Sequence, residues 1–254
     1  MPVCTKLYAL RLRDYDFSGA KLDSGWIENC VFENALFEAV DLSGLADHGN
    51  RFQQCVFDKT KFRVAVLGYK GTEYEACRFA KADFARTAFI RPEFNGCQFL
   101  DCKLNGVDFN ASSFVNCTFE GSLKSVWFRG GYGFPGDPDT FGPARPNKMR
   151  NVSFANAGLR DVHFSNHWDL SSIIQPREGD FRLYQSWRSR LERLREISKE
   201  WLASDRAEAQ VFVNSHMVHA QHQDSYLLSC DDVKREVGAE LGSRILDALG
   251  QNPA

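Results

Sequence analysis

A large apolar residue recurs at every fifth position of this chain, an interval that few folds accommodate. The series runs through Leu12, Phe17, Leu22, Ile27, Phe32, Phe37 and Leu42, then Phe52, Phe57, Phe62 and Leu67. After a two-residue slip across Gly68 to Glu73 it resumes at Tyr74 and continues through Phe79, Phe84, Phe89, Phe94, Phe99, Leu104, Phe109, Phe114 and Phe119. Leu123 and Phe128 continue it one residue early, and after an interruption Met149, Phe154, Leu159 and Phe164 complete it. Helices present one face every 3.6 residues and strands every 2, so this interval belongs to neither.

Two residues before each centre stands a small or compact one, as at Ala20, Cys30, Ala35, Cys55, Ala65, Cys77, Ala82, Cys97, Cys102, Ser112, Cys117, Val152 and Ala157. The three remaining positions of each unit are mostly polar, as solvent-facing positions of a solenoid should be. Four units make a square coil whose sides are very short parallel strands, paired with the next coil at about 4.8 Å. About seven coils over residues 10–168 then form a rod of about 34 Å. Bulky centres alternating with small corners fill a narrow channel without voids or collisions, which accounts for the 21 phenylalanines. Phe32, Phe57, Phe79, Phe99, Phe109 and Phe119 are its expected structural core. Cys30, Cys55, Cys77, Cys97, Cys102 and Cys117 occupy the inward small site and are read as packing residues.

The units Cys97-Gln98-Phe99, Ala82-Asp83-Phe84, Val107-Asp108-Phe109 and Cys117-Thr118-Phe119 resemble the pentapeptide-repeat family: a small residue, a polar one, Leu or Phe, then two variable positions. The resemblance implies a mainly β fold, a right-handed quadrilateral parallel β-helix, here followed by an α-helical segment. Two residues depart from the pattern. Asp47 stands where an apolar centre is expected, which predicts a bulge near Gly44 to Asn50; Pro92 stands at a small site and should cause no defect if that corner needs no donor.

Residues 1–170 are read as the β-helix and 171–254 as a helical segment that caps the rod or mediates homodimerisation. A stretch from Arg129 to Lys148, too rich in Gly and Pro for strand or helix, should leave the rod as a loop. It carries Tyr132, Phe134, Phe141 and Arg145, residue types enriched at binding hot spots, and these are the candidate partner-binding residues; the alternative is that they fold back over an adjacent face. Further on, Trp187, Leu191, Leu194, Ile197 and Trp201 share one helical face. Asp205 with Glu208 should cap a second helix reaching about His222, and Ser229 or Asp231 a third that runs through Val233, Val237, Leu241, Ile245 and Leu249.

A net charge of −2 supplies no overall basic field for nucleic acid, and no apolar run has membrane-spanning length. Without a secretory h-region the expected location is the cytoplasm, with reduced thiols. No nucleophile motif, phosphate loop or dinucleotide fingerprint is present, so the expectation is a noncatalytic protein-binding scaffold without catalytic residues, metal or cofactor. The partner is a protein the sequence does not name. Three alternatives accompany it. The resemblance includes a subgroup that mimics duplex DNA and binds DNA gyrase or topoisomerase IV; that role requires acidic residues segregated on one side of the rod. A second is a bacterial immunity or conflict-system protein. The third is a metal-binding helical module centred on His216, His219 and His222. The adjacent Asp47 and His48 are read as a polar turn.

Overall fold

The computed structural model describes residues 5–145 and 148–251. Cys4, and Pro146 and Asn147 of the Gly/Pro-rich stretch, lie outside the described residues. The five-residue units build a quadrilateral parallel β-helix. Its first side is an eight-stranded parallel sheet from Lys6–Tyr8 to His163–Ser165, and its second a seven-stranded sheet from Arg11–Arg13 to Met149–Arg150. The third begins with single bridges Asp16–Leu36–Val56–Arg78 and becomes a sheet through Gln98–Leu100, Thr118–Lys124 and Ser153–Arg160. The fourth is a ladder of single bridges, Lys21–Asp41–Lys61–Asp83–Lys103. The period also extends one unit earlier than the sequence series, since Leu7 pairs with Ile27.

Every centre from Ile27 to Leu123 points inward, including the six expected core phenylalanines, all at most 1% exposed. Rings on one side stack nearly parallel from coil to coil: Phe57–Phe79, Phe79–Phe99 and Phe99–Phe119 have centroids 4.9, 4.9 and 4.7 Å apart. Rings on adjoining sides meet edge to face, as Phe94 and Phe99 do at 5.2 Å. Both arrangements suit the aromatic quadrupole. Corners are made by the residue two after each centre, which takes a positive φ at Asn29, Asn34, Lys59, Lys81 and Arg86 among others. One nominally variable position of the repeat is therefore conformationally constrained. The six inward cysteines are free and buried, and burial pushes the Cys102 thiol up to about 12, in keeping with a packing role.

The irregularities have local causes. At 0% exposed, Asp47 lies in the core and accepts from Asn50 Nδ2 (2.5 Å), Gly68 N (3.0 Å), Thr72 Oγ1 (2.8 Å) and Tyr74 OH (2.8 Å). Two of the four donors, Gly68 and Thr72, lie in the slip that follows Leu67, and a third, Tyr74, is the centre at which the series resumes, so the polar centre and the insertion are one feature. The register shifts where Ala46–His48 meets Val66–Tyr69, with the extra residue on the later strand. Gly68 at φ +93 permits this, since a Cβ there would stand 2.7 Å from Pro92 N. Pro92 is buried without disturbing its strand's register. Where Leu123 follows Phe119 by four residues, a corner disappears and Thr118–Lys124 runs continuously onto the fourth side.

The Gly/Pro-rich stretch contains a single helical turn, α1 (Asp137–Phe141), where a wholly irregular loop was expected. Pro138 at its start has the fixed φ that suits a first helical position. Beyond the rod come α2 (Trp187–Ile197), α3 (Ala203–Ala220), α4 (Cys230–Val237) and α5 (Ala239–Gly250). Trp187, Leu191 and Leu194 form the buried face of α2, as their spacing predicts. Two expectations need correction, while the expected cap at Ser229 is present. Asp205 lies inside the first turn of α3, whose N-cap is Leu202, and pairs with Arg244 at 3.2 Å. The expected third helix is two, broken at Gly238, where φ is +89. Ser229 caps α4, accepting from Asp232 N at 3.2 Å.

The segment also contains an antiparallel ribbon, Phe181–Tyr184 with Tyr226–Ser229, that the sequence reading missed. Its Leu227 belongs to the rod's buried cluster together with Trp168 and Leu170, and Phe181 and Leu183 pack against that cluster. The last coil is thus covered by the ribbon, with the helices behind it.

Candidate functional site

The first side carries a line of outward aromatic rings. Trp26 and His48 have centroids 4.2 Å apart, His48 and Tyr69 4.7 Å. Lys6 Nζ lies 5.8 Å over Trp26, and Glu28 ties Lys70 at 2.7 Å. His48 is buried between its neighbours, and that burial lowers its pKa. Asp47 and His48 are successive residues of a strand and face opposite ways, one into the core and one outward, so they form neither a polar turn nor an acid–base pair.

The excursion after Arg129 extends this line. At its root the Arg129 guanidinium sits 4.3 Å over Trp127 and bonds Asp108 at 2.8 Å. Gly133 N donates to Asn110 Oδ1 at 2.9 Å, fixing the chain to the first side ahead of α1. Phe141 meets Tyr69 edge to face at 6.0 Å and lies tilted against Tyr132 at 6.2 Å, while the Tyr132 hydroxyl donates to Gly142 O at 2.9 Å. Arg91 Nη1 donates to Pro143 O at 2.8 Å. Arg145 ends the run across the corner to the second side, paired with Glu93 and with Glu73 at 3.6 Å. The stretch is therefore strapped back along the rod, toward the coil that holds Gly71.

The four candidate residues divide accordingly. Tyr132, Phe141 and Arg145 are half-buried against the rod, whereas Phe134 is 72% exposed. Ahead of Arg145 a shallow groove of about 370 Å3, lined by Asn29, Arg51, Lys70 and Glu73, continues along the same corner. The sequence reading missed Trp26, His48 and Tyr69 because each occupies a different outward position of its unit. Writing the chain in whole coils, with the slip at Gly68 allowed for, would have aligned His48 with Tyr69 and set Trp26 opposite Ala46, two residues from His48.

Charge is interleaved along the third and fourth sides, whereas the register of the second places Glu73 beside Glu93, with Arg145 of the loop paired to both. Along the fourth, Lys21, Asp41, Lys61, Asp83 and Lys103 alternate in sign, with Lys61–Asp41 at 3.7 Å and Lys103–Asp83 at 3.3 Å. The third carries Arg78–Asp58 at 3.0 Å and Lys59–Glu38 at 3.0 Å, the second Arg51–Glu73 at 2.5 Å. The acidic side that mimicry of duplex DNA requires is not formed by these residues. Nor do His216 and His219 of α3 converge with His222 just beyond it: His216 packs with Phe212, Trp187 and Tyr226, His219 with Trp127, and His222 with His167. Among the described residues no group of three or more His, Cys, Asp or Glu could hold a metal ion, and no helix is long and apolar enough to cross a membrane.

Residues 82–121 match the family model of pentapeptide repeats in eight copies. Those eight copies form coils of the four-sided solenoid, so this part of the chain is a run of pentapeptide repeats. Comparison with curated proteins finds no match. Among solved structures it is similar to a trypsin-treated form of QnrB1, a plasmid-mediated fluoroquinolone resistance protein, at 16% identity over 65% of this chain and 85% of that one, with a TM-score of 0.30. It is also similar to a pentapeptide repeat protein of the Arabidopsis thaliana thylakoid lumen, at 14% identity over 41% of this chain and 65% of that one (TM-score 0.26). A third is HetL, a pentapeptide repeat protein involved in heterocyst differentiation regulation in the cyanobacterium Nostoc, at 11% identity over 68% and 86% (TM-score 0.24).

Proposed function

We propose that this protein is a noncatalytic scaffold that binds another protein along the aromatic strip of its first side, with the strapped loop as the distal part of the contact. The observation that carries the reading is the unbroken run Trp26–His48–Tyr69–Phe141–Tyr132, from which Phe134 projects. Aromatic and Arg side chains dominate binding energy at protein interfaces. A stacked core holds them in fixed order, so little ordering entropy is lost on association. The free buried thiols suit a reducing compartment, and cytoplasmic action forms part of the proposal. In the same reading the helical segment serves as a lid on the rod, and a homodimer contact would fall on the exposed Leu202, Val211 and Val218.

The test is affinity capture from the native host with partners identified by mass spectrometry. Wild-type protein should enrich one protein reproducibly, while Phe134→Ser and Tyr69→Ser should reduce its recovery at least tenfold with unchanged circular dichroism. Equal recovery by all three proteins would remove the strip from the contact.

A further inference from the structure

The last coil and the helical segment leave a cavity of about 70 Å3 between them. A single water needs roughly 10–15 Å3 of such space, so a guest of a few heavy atoms fits. Its apolar walls include Phe164, Phe181 and Leu227. The rod contributes Asp161 and His163; the segment contributes Tyr226, His216, Asp232 and Glu236.

Most of these polar groups are committed. Ser125 Oγ donates to Asp161 at 2.7 Å, and His163 Nε2 stands 2.8 Å from the same carboxylate. With its proton on Nε2, His163 accepts from the Tyr226 hydroxyl through Nδ1 at 3.1 Å. Asp161 N donates to Asp232 Oδ2 at 2.8 Å, and Arg235 pairs with the other Asp232 oxygen. Two groups are left over. Among the described residues Glu236 has neither ion pair nor hydrogen bond, and the partly buried His216, which lines the cavity, has only ring contacts with Phe212, Trp187 and Tyr226. Burial lowers the His216 pKa to about 3, so the ring is neutral and offers an acceptor nitrogen. Burial raises the pKa of the Tyr226 phenol, and the charges of Asp161, Asp232 and Glu236 add to the shift. The cavity thus joins negative potential, aromatic faces and an imidazole without a donor.

We propose that this cavity binds a small organic ammonium ion of about the size of methylammonium. Its N–H groups would meet the carboxylates and the His216 nitrogen, and its methyl would rest on Phe164, Phe181 and Tyr226, where cation–π attraction adds to the Coulomb term. An anion would face like charge, and a bulky quaternary ion exceeds the space.

The experiment is calorimetric titration of the full chain with methylammonium chloride against sodium chloride of equal ionic strength. Methanol serves as the neutral isostere, formate as the anion and tetrabutylammonium as the oversized cation. Saturable heat with methylammonium alone is expected, weakened at least tenfold in Glu236→Gln and in His216→Phe. Glu236 is exposed, so its variant keeps the fold even if the other does not. Absence of saturable heat above the salt control, equal binding by Glu236→Gln, or preferential uptake of methanol or formate would each overturn the proposal.

Discussion

The rod and the helical segment bury comparable side chains by opposite means. In the rod each buried ring meets its counterparts one coil away, so that Phe99 stacks on Phe79 and Phe119 at 4.9 and 4.7 Å by one repeated rule. In the segment Trp187 packs between Tyr184 and Tyr226 at 5.6 and 5.0 Å, and Arg190 reaches Leu249 O at 2.6 Å, with no common interval. Their buried titratable groups differ as well. Asp47 has four donors around it; His216 has none among the described residues and remains neutral through burial. A repeated core can take a carboxylate because one insertion brings donors to it, whereas the irregular core accommodates an imidazole by suppressing its charge.

The comparison can be broken first in the rod. Phe99→Ala should cost about 3–5 kcal/mol in urea unfolding, because rigid neighbouring coils cannot collapse into the space. A loss below about 1 kcal/mol would mean that the column is not close-packed. Asp47→Asn is next, at about 1–3 kcal/mol, since an amide NH2 must face groups that are themselves donors. A neutral result would show that those donors can turn elsewhere.

Acidification should separate the two regions. Burial lowers the pKa of His216 and, with His163 and Arg129 adding to it, of His219. A depressed imidazole pKa contributes stability that is whole above about pH 6.5 and is lost as pH falls toward 3. Asp47 has the opposite sign: burial raises its pKa, so its contribution is whole below about pH 3.8 and declines as pH rises through the raised value. Between pH 6.5 and 4 the helical signal at 222 nm should weaken while the β signal persists, and His216→Phe should flatten that slope. Simultaneous loss of both signals would deny the distinction. The smallest effect on stability belongs to Phe134→Ser, within about 0.5 kcal/mol, because the ring stands in solvent; its consequence should appear in partner capture alone.

What the sequence discloses follows the same division. Inward centres, inward cysteines and the harmless Pro92 are legible because each depends on neighbours at a fixed interval. The single fate of Asp47, Gly68, Thr72 and Tyr74 is not, since it joins residues of different coils. The ribbon between Phe181–Tyr184 and Tyr226–Ser229 escapes for a similar reason: α2 and α3 separate its strands. At Gly238 an apolar pattern that continues in register conceals a positive φ. The candidate loop was legible from its composition, but its strapping by Arg91 and Arg145 depends on rod residues far away in sequence.

Nuclear Overhauser contacts between ring protons, in protein carrying labelled phenylalanine, reach the central claim most directly. Cross-peaks should link Phe79 to Phe99 and Phe99 to Phe119, with all three rings protected from a soluble paramagnetic probe. Rings that show no such cross-peaks and are broadened by the probe would contradict a column of phenylalanines along one axis.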